Sequence, residues 1–316
     1  MTQSLFYCSE LSARSGERVF GTASTGEVWL LVEYPFAWGS RAMESSALSP
    51  AIKEHLAALL KTIPRSRLLF VKQDSVCRAD FNFFVVRSRA RNPYAVRLRL
   101  TDYKDLLDLN VAGVAAGDSA GGGEVTREPL LLVCTHGKRD KCCAKFGNPL
   151  YKSLRATEGA ASVWQSSHVG GDRFAANLVC FPHGLFYARV SEDAGARAAA
   201  EYARGRIVLE NFRGRACFSH PVQAGEYFVR AETGLVGLDE LRFAGRERAG
   251  ALTWRVRFAA LAEGRIYEAT VTSRASEFQN FITCHASEER RVTEFVLDGL
   301  SVAVRDRSEP PAVAGG

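Results

Sequence analysis

Two short apolar runs constrain this chain most: PLLLVC at 129–134, which ends in Cys134, and VWQSSH at 163–168, which ends in His168. Each reads as a buried strand. If the two are parallel neighbours, both terminal side chains emerge at one sheet edge. Between them lie a basic polar loop and the pair Cys142-Cys143, and the turn Gly170-Gly171-Asp172 follows. The stretch from Leu130 to Arg189 holds four of the eight cysteines and three of the six histidines. Thiolate and imidazole are soft to borderline ligands, suited to zinc or iron–sulfur chemistry. The stretch therefore reads as a metal or iron–sulfur pocket carried on strand ends. The glycines let backbone approach an inorganic sulfide and point N–H groups at it. Eight residues separate Cys134 from Cys143, too wide for a CxxC redox pair.

The rest of the chain reads as scaffold. VWLLVEY (28–34) and RLLFVKQ (67–73) are further buried strands. A helix opened by Ser49-Pro50 and stopped by Pro64 joins them, as a βαβ unit with a parallel pair requires. Strands follow at 82–90 and 95–100, and a short helix at 102–110. The small-residue run VAGVAAGDSAGGGEVT (111–126) has the composition of a flexible linker. Helices are expected at 147–156, 191–205 and 220–234, with the turn Pro182-His183-Gly184 between two strands. ALTWRVRFAAL and RIYEATVTS alternate as a hairpin, and residues 289–304 complete a small α/β appendage. The expected organisation is an N-terminal α/β lobe (1–110), a linker or loop (111–125), a second unit (126–235), the appendage (240–304) and a disordered tail (305–316).

Bulk properties narrow the function. At 316 residues, two domains are the default. With 47% apolar and 24% charged residues the composition is that of a globular protein. A net charge of +6 is too small and too dispersed to argue for nucleic acid. Four of the eight lysines, Lys138, Lys141, Lys145 and Lys152, fall in the central stretch. They read either as a solvated face or as a positive rim for an acidic protein. The N-terminal MTQSLFYCSELSARSG lacks a long apolar stretch, so no secretory signal is expected, and no run nears the roughly 20 apolar residues of a membrane span. A cytoplasmic protein without membrane contact is expected, and in that reducing setting the cysteines suit metal better than disulfides.

The central stretch resembles the sucrase/ferredoxin-like family, whose members are also described as thioredoxin-like ferredoxins with a bis-histidinyl cluster. The family pattern is CTHG-R-D-x-CC, then W-x-x-SH-x-GGHRFA-N, then P-x-G-x-x-Y-x-R. Here the corresponding segments are CTHGKRDKCC, VWQSSHVGGDRFAANL and PHGLFYARV. The N-terminal CSELSARSGERVFGTA and WLLVEYPFAWG extend the likeness across most of residues 5 to 232. The resemblance implies an α/β fold with a thioredoxin-like domain at 126–235 and a 2Fe-2S cluster that transfers single electrons. By position it assigns Cys134 and Cys143 as cysteine ligands and His168 as the first histidine ligand. An acidic redox protein or reductase would dock at Lys138, Arg139 and Lys141.

One ligand departs from the pattern: the second histidine position holds Asp172. Asp172 can ligate iron through oxygen, or His136, Cys142 or His183 can substitute, or the cluster is lost while the fold persists. In the last case an Arg173–Asp172 ion pair would account for the turn. Zinc on Cys134, Cys143, His168 and Asp172 is a rival cofactor. A metal-free interaction protein is a second rival, and thiol–disulfide exchange through Cys142 and Cys143 a third. Cys8, Cys77, Cys180, Cys217 and Cys284 lack partner spacing and read as buried thiols. His183 reads as an exposed turn residue. No independent catalytic constellation is present, and no carboxylate pair with glycosidase logic.

Overall fold

A computed structural model describes residues 6–73, 79–118, 121–157 and 162–304. Cys77 and the tail at 305–316 lie outside the described residues. Strand β1 (Val28–Glu33) is buried throughout, as its unbroken apolar run requires. Helix α2 (Pro50–Thr62) leads from it to the parallel strand β2 (Ser66–Lys72). Ser49 caps α2 by accepting the Ile52 N–H, and Pro50 takes the first turn, where no partner for its nitrogen is needed. Strands β3 (Phe81–Arg87) and β4 (Tyr94–Leu100) add antiparallel, giving the order β2-β1-β3-β4.

The same order then recurs. Strand β6 (Leu130–Cys134), helix α4 (Lys141–Arg155), strand β7 (Val163–Ser166), strand β8 (Leu178–Phe181) and strand β9 (Leu185–Tyr187) pack as β7-β6-β8-β9. The β6–β7 pair is parallel and the others antiparallel, as in the first unit. The two units meet edge to edge where Val71 pairs with Ser166 and Lys72 with Gln165. With β5 (Glu124–Thr126) at one edge and β10 (Phe212–Arg215) at the other, they form one ten-stranded mixed sheet.

Alternation along the strands sorts the cores. On one face Ile52 and Leu56 of α2 pack with Val28, Leu30 and Val32. Leu150 and Leu154 of α4 pack with Leu131 and Val133 of β6. Helix α5 (Glu192–Ala203), capped by Ser191, closes that half through Ala198 and Tyr202. A separate core joins the two units through Trp29, Leu31, Leu132, Cys134, Trp164 and Phe181. Truncating any one of its large members would cost about 2–5 kcal/mol.

Helix α6 (His220–Thr233) supports a second, four-stranded antiparallel sheet: β11 (Leu241–Arg248), β12 (Thr253–Ala260), β13 (Arg265–Asn280) and β14 (Arg290–Val304). Residues 290–304 are thus one strand paired along β13, so this region carries no helix of its own and borrows α6 for its core. Val222 and Val229 of α6 pack with Val256, Phe258 and Val271. Residues 111–116, whose small side chains suggested a linker, form helix α3 (Val111–Ala116), capped by Asn110 and ended by left-handed Gly117. Val111 and Val114 bury against the first unit, and that apolar pair outweighs the composition.

Candidate metal centre

The site forms at the carboxyl ends of β6 and β7, the crevice where open α/β sheets present ligands. Cys134 closes β6, and its register partner on the parallel β7 is Ser166, two residues before His168. The chain then turns through residues 135–140 into α4, which begins at Lys141 rather than at 147. Asp140 is the reason: its side chain accepts the Cys142 N–H at 2.9 Å and nucleates the first turn there. Cys142 and Cys143 therefore sit in a helical first turn and not in a loop. Gly147 lets this helix close on β6, because a Cβ there would come 2.1 Å from the Cys134 carbonyl oxygen.

Cys134 Sγ, Cys143 Sγ and a ring nitrogen of His168 lie within 4.8 Å of one another. The Asp172 carboxylate joins them: Oδ1 is 3.6 Å from Cys143 Sγ and 3.0 Å from His168 Nδ1. The His168 contact lacks hydrogen-bond alignment and leaves Nδ1 buried without a true partner. An unsatisfied imidazole nitrogen facing two thiols and a carboxylate fits a metal position. His168 is 22% exposed and Asp172 5%, so the imidazole is the member nearer solvent.

Charge settles unevenly in this pocket. The Cys143 thiol, together with His168, holds Cys134 well below the usual thiol range although burial opposes this. Cys143 is pushed up, by Cys134 first and by burial second. Burial works against a charged His168, but Asp172 and Cys134 outweigh it and raise the imidazole to about 9.

The Gly170-Gly171 turn owes its composition to packing. Both residues have positive φ, +94° and +86°. A Cβ at Gly170 would meet Ser24 Oγ at 2.3 Å, and one at Gly171 would meet Arg213 Nη2 at 2.6 Å. The buried Arg213 guanidinium locks the turn, donating to the Gly170 carbonyl at 2.9 Å and to Asn177 Oδ1 at 2.8 Å. Neither Arg213 nor Asn177 was marked by the sequence as part of the pocket; an arginine in an otherwise buried strand (FRGR, all buried) was the available signal. Arg173 donates to Glu17 at 2.6 Å, not to Asp172, so an Arg173–Asp172 ion pair does not explain the turn.

The three substitute ligands go elsewhere. His136 Nδ1 accepts the His168 backbone N–H at 3.2 Å, which leaves Nε2 to donate to the Gly39 carbonyl at 2.7 Å. Both nitrogens are spent, so His136 positions His168 and has no lone pair for a metal. His183 is half-buried against Tyr202, with Nδ1 2.7 Å from the phenol oxygen, and burial lowers it to about 4. The exposure expected for it is absent because Tyr202 of α5 covers the turn. Cys142 points away from the pocket, toward Cys8 and Cys284. The basic rim divides as well. Arg139 lines an open cavity of about 620 Å³ beside His168, together with Arg41, Arg65 and Arg67. Lys138 is exposed, while Lys141 lies 4.9 Å from the centre of the Tyr7 ring.

Among the described residues, no helix is long and apolar enough to cross a membrane. The sucrase/ferredoxin-like family profile matches residues 19–214, more than half the chain. Three curated fungal relatives share the name "Altered inheritance of mitochondria protein 32". The protein of Meyerozyma guilliermondii is 33% identical over 101 residues, covering 29% of this chain and 36% of the relative. That of Eremothecium gossypii is 27% identical over 146 residues, covering 44% and 45%. That of Debaryomyces hansenii is 34% identical over 95 residues, covering 27% and 35%. The matched part is under half the length of each relative. No solved structure matches the chain. The family profile spans the strands, the first turn of α4 and the Gly170-Gly171 turn that together build the pocket, and the chain belongs to the sucrase/ferredoxin-like family.

Proposed function

We propose that this chain binds a 2Fe-2S cluster and passes single electrons. The observation that carries the reading is the meeting of Cys134, Cys143, His168 and Asp172, one from each ligand position of the family pattern. Cys134, Cys143, His168 and Asp172 would hold the cluster, with His168 the member nearer solvent. The cluster supplies a one-electron couple. The chain supplies the rest: Asp140 and Gly147 fix Cys143, His136 orients His168, and Arg213 sets the turn that aims Asp172. A carboxylate adds negative charge where imidazole adds none, so the potential lies below that of a bis-histidinyl site. The repeated β-α-β-β-β order supports a thioredoxin-like reading of the second unit. A cytoplasmic, reducing setting agrees with the free cysteines. The partner is an acidic redox protein or reductase approaching the exposed Lys138 and Arg139, the latter on the cavity beside His168 that Arg41 also lines.

Anaerobic purification with iron and sulfide analysis tests this. Equal iron and acid-labile sulfide, lost in Cys134→Ser and Cys143→Ser, is expected. A colourless chain that resists reconstitution contradicts it. The closeness of Cys134 Sγ, Cys143 Sγ and a His168 ring nitrogen, within 4.8 Å of one another, favours one second reading, a single zinc ion on these three residues with Asp172 beside them. Expression in zinc-poor medium separates the two, since only the cluster reading yields iron and an EPR signal on reduction.

A further inference from the structure

Cys142 and Cys143 adjoin in sequence but serve different faces of the first turn of α4. On the face away from the pocket, three cysteine sulfurs close a triangle: Cys8–Cys142 3.6 Å, Cys142–Cys284 3.3 Å and Cys284–Cys8 3.5 Å. Asp140 Oδ2 lies 3.9 Å from Cys8 Sγ and accepts the Cys284 N–H at 2.7 Å. All four donor atoms lie within 4.8 Å of one another. We infer that Cys8, Cys142, Cys284 and Asp140 form a second, mononuclear metal site of the structural zinc class. It lies beyond the cluster proposed above and shares no ligand with it.

Geometry decides the nuclearity. Thiolates about 2.3 Å from a tetrahedral zinc sit about 3.8 Å apart. The three sulfur separations are a few tenths shorter, as expected of thiols drawn together before an ion enters. Four donor atoms within 4.8 Å of one another complete the shell of a single tetrahedral ion. A disulfide accounts for the site less well, because it consumes two thiols and strands the third beside a buried carboxylate. The surroundings suit an anionic, metal-bound set. The Cys8 N–H points at Cys284 Sγ at 3.5 Å, and the amino end of α4 faces the same sulfurs. Phe6 stacks on Phe281 at 4.4 Å and, with Tyr7 and Phe146, walls the cluster.

The site joins parts of the chain that nothing local joins. Cys8 lies in α1 (Cys8–Arg14), Cys142 in α4, and Cys284 in the segment between β13 and β14. Their sequence separations are 134, 142 and 276 residues. An ion there fastens the N-terminal helix and the C-terminal sheet to the unit that carries the pocket. Because Asp140 and Cys142 share the helical turn of Cys143, it also steadies a ligand of the neighbouring site.

Zinc content of the full chain, purified with reductant, tests the site while iron is read separately. About one zinc per chain is expected, retained in Cys134→Ser, Cys143→Ser and the core control Cys180→Ser, and lost in Cys8→Ser and Cys284→Ser. Loss of iron in the first pair with zinc unchanged separates this site from the cluster. Should the Cys8 and Cys284 variants fail to fold, the parent chain is probed by alkylation and peptide mapping. Zinc should shield Cys8, Cys142 and Cys284 together, and a chelator should expose them together. Two results overturn the proposal: zinc content indifferent to both substitutions, or a zinc-free parent with a Cys142–Cys284 or Cys8–Cys142 disulfide.

Discussion

The two thiol clusters share a helical turn and differ in almost everything else. The first mixes sulfur, nitrogen and oxygen, draws on segments 29 residues apart at Cys143 and Asp172, and reaches an open basic cavity through His168. The second is sulfur-rich, walled by aromatic rings, and draws on both ends of the chain. A partly exposed ligand beside a cavity suits exchange of electrons with a partner, whereas a mostly buried thiol set suits a permanent structural ion. Adjacent cysteines thus face different donor sets, and the helical angle between neighbouring residues is what divides them.

The division can be broken most sharply at the cysteine pair itself. Cys143→Ser should abolish iron and leave zinc, and Cys142→Ser should abolish zinc and leave most of the iron; metal analysis of the two proteins reads both. If either change removes both metals, the clusters are one unit. Next in size is Gly147→Ala. The new methyl would strike the Cys134 carbonyl, so a loss of about 3 kcal/mol in urea unfolding is expected, outweighing a helix-propensity gain of about 1 kcal/mol. The same change should weaken iron retention more than zinc retention, since it displaces the first pocket.

Asp172→His is gentler and acts on the first cluster alone. It restores the family's second histidine and removes a negative charge, so voltammetry should find a higher potential with zinc content unchanged. The smallest effect lies outside both clusters. His183 is held near 4 by burial, first, and by Arg215. A histidine whose folded value lies below its unfolded value of about 6.5 takes up protons on unfolding between those values. Stability should therefore fall as pH drops from about 6.5 to about 4, and His183→Gln should flatten that limb. Urea titrations at pH 7 and 4.5 measure the difference. An unchanged slope would assign the acid sensitivity to the clusters instead.

What the sequence made legible follows from range. The nearness of Cys134 and His168 was readable because each ends a predicted strand, and the parallel β6–β7 pairing sets those strand ends side by side. The strands and capped helices of both units were readable from local signals, with Ser49-Pro50 and Ser191 marking real starts. The start of α4 was missed because the capping Asp140 sits inside a run of charged residues that looks like a loop. Helix α3 was missed because its Gly- and Ala-rich composition conceals two buried valines. The second cluster had no local signature at all. Cys8 and Cys284 have no neighbour within ligand spacing, and only the folded chain brings them to Cys142. The edge-to-edge doubling of the β-α-β-β-β order was equally silent, since the first unit ends β1 in Glu33, bonded to Asn82, where the second ends β6 in Cys134.

The most direct test of the central claim is pulsed EPR of the reduced, reconstituted chain with nitrogen-labelled histidine. The account predicts a 2Fe-2S signal coupled to the nitrogen of one histidine, lost in His168→Ala and kept in His136→Ala. A signal coupled to two histidines, or one that survives Cys134→Ser, or no signal from a chain that binds only zinc, would contradict it.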